Sequence, residues 1–110
     1  MDGGKERRRD ARSRTGFPVL EADSAAAGVD YIENISCSGA LCRAIKDVPM
    51  MTKVALVFEL PGDRPRRISC EGVVVRREEQ GDKLKVGVVF TNVSTDNRDA
   101  IARFVSGDLG

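Results

Sequence analysis

Hydrophobic and polar residues alternate along most of the chain. The clearest run is 53–60, where Val54, Leu56, Phe58 and Leu60 fall on one face and Lys53, Ala55, Val57 and Glu59 on the other. A period of two sustained in this way predicts a half-buried strand. The same rhythm predicts strands at Phe17–Leu20, Tyr31–Ile35, Ala40–Ile45 and Arg67–Arg77, and along Leu84, Val86, Val88 and Phe90. Pro18 suits a strand start or a sheet edge, where no ladder donor is missed. Turn chemistry separates the runs at Ser36-Cys37-Ser38-Gly39, Pro49, Pro61-Gly62-Asp63 and Gln80-Gly81-Asp82. Ala25-Ala26-Ala27-Gly28 reads as a loop or a weak turn, too short for a helix and bounded by glycine.

Towards the C-terminus the period changes. Ser94 is a good N-cap, Asp96 puts negative charge in a first helical turn, and Ile101, Phe104 and Val105 share one helical face. Gly107 is expected at the position just past the last turn. Five or six short strands closed by one helix predict an all-β fold, a small antiparallel β-barrel with a C-terminal helix. Residues 16–110 are expected to form it. Residues 1–15 carry no hydrophobic period and read as a flexible basic N-terminal arm.

At 110 residues the chain supports one domain with a modest core. It has no apolar run long enough for a membrane span and no apolar stretch behind Met1–Lys5 to act as a secretory signal, so a cytoplasmic location is expected. Cys37, Cys42 and Cys70 read as small apolar side chains in a reducing compartment. With no histidine in the chain, they suit neither a metal site nor an activated nucleophile, and no cofactor is implied. The scattered acids offer no carboxylate pair that stands out, so the chain does not read as an enzyme.

Charge sharpens this picture. Lys5, Arg7, Arg8, Arg9, Arg12 and Arg14 face only Glu6 and Asp10 in the same stretch, whereas the whole chain carries a formal charge of +1. The basic character is therefore concentrated at one end and built from arginine, whose planar fork grips phosphates and the O6/N7 edge of guanine. A second cluster mixes Arg64, Arg66, Arg67, Arg76 and Arg77 with Asp63, Glu71, Glu78 and Glu79, and mixed signs predict a solvated face. A partner surface is the sharper alternative for it.

Two short patterns stand out, Arg8-x-x-x-Arg12 and Asn34-x-Ser36-x-x-Gly39. Each alone is common: the first occurs in arginine-rich tails and the second in plain turns. Their order is specific. Glu6-Arg7-Arg8-Arg9-x-x-Arg12 precedes a first strand containing Pro-Val. Asn34-Ile35-Ser36-x-x-Gly39-Ala40-Leu41 follows, and Val86-Gly87-Val88-Val89-Phe90 leads into a closing helix. This combination resembles the PilZ domain family over residues 6–105.

The resemblance implies a six-stranded barrel that binds cyclic di-GMP, a bacterial second messenger, and signals to a downstream protein in trans. It makes Arg8, Arg12, Asn34, Ser36 and Gly39 the expected ligand-binding residues, with Arg7 and Arg9 as further contributors. Arg7, just before the first motif arginine, leans toward binding of a stacked ligand pair. The sequence has Asn34 where the family also allows Asp, and Ser38 where it often has a second glycine.

The residue types suit that role. Arg8 and Arg12 match two phosphate charges and two guanine edges, and Asn34 and Ser36, two apart on a strand, are expected on the same side. Two other readings compete. One is a PilZ-type adaptor that binds no nucleotide, against which the intact motifs count. The other is a small barrel for RNA or single-stranded DNA. It is disfavoured because most of Phe17, Tyr31, Phe58, Phe90 and Phe104 are placed to fill the core, leaving no stacking platform. Neither a nucleic-acid polymer nor membrane insertion is expected.

Overall fold

The computed structural model of the chain describes Ser13 and residues 16–109. Six strands and one helix follow in order: β1 (Phe17–Ala22), β2 (Val29–Ile35), β3 (Gly39–Ala44), β4 (Lys53–Leu60), β5 (Arg66–Gln80), β6 (Lys83–Asn92) and α1 (Thr95–Leu109). All pairings are antiparallel. Their spatial order is β1-β2-β3-β6-β5-β4, and because β1 also pairs with β4 the sheet closes on itself. Closure leaves the barrel without a lateral edge.

The alternation seen in the sequence becomes the inside and outside of the barrel. Val54, Leu56, Phe58 and Leu60 of β4 are buried with Ile32, Ile68, Val74, Val86 and Val88. Ala100, Ile101 and Val105 of α1 join the same core. Phe17 ties strand and helix together, its ring 5.6 Å from Phe58 and 5.8 Å, edge-on, from Phe104. Tyr31 is the aromatic that stays outside the core. It is half-buried on the wall, with the Arg43 guanidinium 4.8 Å above its ring.

The segment after β1 forms a weak turn: Ser24–Ala26 make one 3₁₀ turn, because Asp23 caps it by accepting from the Ala26 N–H and Ala26 is drawn into the core. Two local expectations are corrected. Gly107 does not terminate the helix. α1 continues to Leu109, and the only glycines at positive φ among the described residues are Gly62 and Gly81 in turns. β5 is longer than 67–77, because its first half pairs with β4 and its second half continues along β6 to Gln80↔Lys83. Ser94 does cap α1, accepting from the Asn97 N–H at 3.1 Å.

The charged cluster on β5 lies along the surface. Arg67 pairs with Glu21, Arg76 with Glu78, and Arg77 with both Asp47 and Glu79. Exposed pairs of this kind contribute little to stability, on the order of 0–1 kcal/mol each.

Candidate ligand site

The second motif occupies the junction of β2 and β3. Asn34 is the penultimate residue of β2, half-buried and opposite Leu41. It lines an open concavity of about 350 Å³ on the barrel wall, together with Ser38, Gly39, Arg76, Gly87 and Val89. Val75 and Val89 leave apolar surface exposed there.

Ser36 departs from the expected arrangement. It lies one residue beyond the end of β2, is completely buried, and does not line that concavity. Its hydroxyl donates to the Gly39 carbonyl at 3.3 Å and accepts from the Ser38 N–H at 3.3 Å, while its own N–H donates to the same carbonyl at 2.8 Å. Ending the strand at Ile35 breaks the two-residue periodicity that would have set Ser36 beside Asn34. Ser36 thereby shapes the turn that presents Ser38 and Gly39.

Gly39 is demanded by a close approach within the barrel. A Cβ there would overlap the Val88 carbonyl oxygen of β6 and press on the Val89 Cα at 3.3 Å. Absence of a side chain lets β3 and β6 pack closely together at the wall of the concavity.

Ser13 was not singled out in the sequence, and no local pattern marks it. Its N–H donates to the Ile35 carbonyl at 2.9 Å and its hydroxyl accepts from the Ile35 N–H at 3.2 Å. Only 3% of its surface is exposed. The chain at residue 13 is thus fixed against the end of β2, between the motif residues Asn34 and Ser36. Arg7, Arg8, Arg9 and Arg12 lie outside the described residues.

Arg76 is the second residue missed. A register shift between Val74 and Arg76 marks a bulge opposite β6, and Val75 and Arg76 both reach the concavity. The Arg76 stem crosses Gly87, whose added Cβ would meet the Arg76 Cβ at 3.0 Å. A glycine in mid-strand is the signal that could have drawn attention to it.

The cysteines behave as apolar filling. Burial pushes both the Cys42 and the Cys70 thiol up to about 12. Among the described residues no group of three metal-ligating side chains occurs, and no helix is long and apolar enough to cross a membrane.

A closed six-stranded antiparallel barrel capped by a C-terminal helix is the architecture of PilZ-like domains. The PilZ domain model matches residues 6–107, and the chain belongs to that family, whose known role is cyclic di-GMP reception and adaptor function. Among solved structures, the Bacillus subtilis inhibitor of motility (MotI/DgrA) is similar in fold, with a TM-score of 0.80 at 18% identity over 93% of this chain and 51% of that one. The chain therefore spans about half the length of that neighbour. No curated protein matches the sequence.

Proposed function

We propose that this chain is a cyclic di-GMP receptor without catalytic activity, in which residues 1–15 act as a ligand-gripping arm on a barrel formed by residues 16–110. Arg8 and Arg12 supply guanidinium groups for phosphate and guanine edges. Asn34, with the Ser36-shaped turn and Gly39, supplies the wall against which the ligand lies. Arg7 and Arg9 add cations at the rim, and the Arg7 position favours a stacked pair of ligands.

The observation that supports this reading is the anchoring of Ser13 on Ile35. Covalent geometry holds the Arg12 Cα within about 3.8 Å of the Ser13 Cα, and Arg8 within about five extended residues of it, which is on the order of 17 Å. Both arginines are thus tethered within reach of the concavity that Asn34 and Gly39 line. Binding favours the arm conformation that contacts the ligand, and that population shift is the signal to a downstream protein in trans.

A specific observation favours the non-nucleotide adaptor as the second reading: Ser36 and Gly39 each have a structural duty in the turn and the β3–β6 contact. Calorimetric titration with cyclic di-GMP, against GTP and a short single-stranded RNA, separates the readings. The receptor binds the dinucleotide at micromolar affinity or tighter, and Arg8→Ala and Arg12→Ala each lose at least about tenfold. Heat with RNA alone would move the chain to the nucleic-acid class, and silence with all three ligands would leave the adaptor.

A further inference from the structure

A second concavity, of about 610 Å³, opens between the β4–β5 turn and α1. Its floor is apolar, from Leu60, Ala100 and Phe104, and its rim carries Arg64, Arg66 and Arg103. These three arginines differ from those elsewhere on the barrel. Arg43, Arg67, Arg76 and Arg77 are each held by a carboxylate. Among the described residues, neither the Arg64 nor the Arg103 side chain makes an ion pair or a hydrogen bond. Arg66 donates only to the neutral Asn97 side-chain amide, at 3.0 Å. Asp63, on the same turn, makes no ion pair with any of them.

Three uncompensated guanidinium groups around an apolar floor form a complementary mould for carboxylates flanking a hydrophobic side chain. The rim is pre-shaped, since Pro61 and Pro65 bracket the turn and restrict its backbone. A lipid surface fits less well, because the apolar groups are recessed behind the cations instead of projecting beyond them. We propose that this concavity is a docking site for an acidic segment of a partner protein, with an aromatic or aliphatic side chain seated on Leu60 and Phe104 and its neighbouring carboxylates on Arg64, Arg66 and Arg103. The proposal is independent of nucleotide binding, since it uses none of the motif residues.

The test is an amide chemical-shift titration of the full chain with a blocked peptide holding one phenylalanine between acidic residues. The same peptide with lysine in place of its acids, the same peptide with alanine in place of its phenylalanine, and phosphatidylglycerol vesicles serve as controls. Saturating shifts are expected at Leu60, Arg64, Arg66, Ala100, Arg103 and Phe104. The Arg64→Ala/Arg103→Ala double variant should bind about tenfold more weakly, and Arg67→Ala should leave affinity unchanged. No shifts up to about 5 mM acidic peptide, a range that reaches very weak complexes, would overturn the proposal. So would equal affinity for the lysine peptide, equal affinity of the double variant, or arginine-dependent binding of vesicles alone.

Discussion

Replacing Gly39 with alanine tests whether the glycine of the second motif serves the barrel as well as its guest. The new methyl group would lie far inside the 3.0 Å limit that real Cβ atoms keep, against the Val88 carbonyl oxygen. The obstacle is backbone on the neighbouring strand and cannot swing aside as a side chain does. β3 and β6 must part by roughly an ångström, which overpacks the wall at a cost of about 1–3 kcal/mol. Parting also weakens the pairing of Gly39 with Val89 and of Ala40 with Val88. Two weakened backbone hydrogen bonds add about 1–2 kcal/mol.

A loss of about 2–5 kcal/mol is a large share of a small domain's stability. Urea denaturation followed by far-ultraviolet circular dichroism measures it, and the midpoint should fall by about 1–3 M. Gly62→Ala is the informative comparison. Nothing lies within 4 Å of a Cβ at Gly62, so its only penalty is the backbone strain of φ +144°. If Gly39→Ala unfolded at the wild-type midpoint, the close β3–β6 approach would not be a constraint, and the glycine would have to be explained by the ligand alone.

Four further outcomes are expected. Gly107→Ala should raise stability by about 0.5–1 kcal/mol in the same assay, because the position is helical, exposed and open on all sides. Ser13→Ala removes the hydroxyl that accepts from the buried Ile35 N–H and should cost about 1–3 kcal/mol, read by thermal or urea unfolding. In native protein at pH 8, Cys37 should react with a thiol reagent well before Cys42 and Cys70, which react only on unfolding. The same two thiols give a pH dependence. Their folded values near 12 lie above the ordinary 9.0, so stability is full below pH 9 and declines between pH 9 and 12 as the unfolded chain ionises first.

Part of the barrel was legible because some of its strands, β4 above all, follow clean alternation. In β4 the buried Val54, Leu56, Phe58 and Leu60 are the residues the period marks. The closing contact between β1 and β4 was not legible, since Val19↔Phe58 and Ala22↔Leu56 join segments far apart in sequence with no local signature. Gly107 misled because glycine is compatible with a helix stop, while continuation of α1 depends on its surroundings. At the candidate site the pattern located Asn34 and Gly39 on the wall. It misjudged Ser36, because a strand that ends one residue early turns the next side chain inward. Ser13 carries no mark outside its three-dimensional setting, and Arg76 is marked only indirectly, by the mid-strand Gly87 that it faces.

The seam of the cylinder has a mechanical implication. β1 meets β2 through only Phe17↔Ile32 and Pro18↔Tyr31, and proline contributes no N–H to that border. Four residues upstream of Phe17, Ser13 is buttoned onto the same neighbour at Ile35. Whatever restrains the leading segment therefore also restrains β1 at the thin border of the seam, so a guest held there should slow amide exchange at Ile32 and Phe58, well beyond its own footprint.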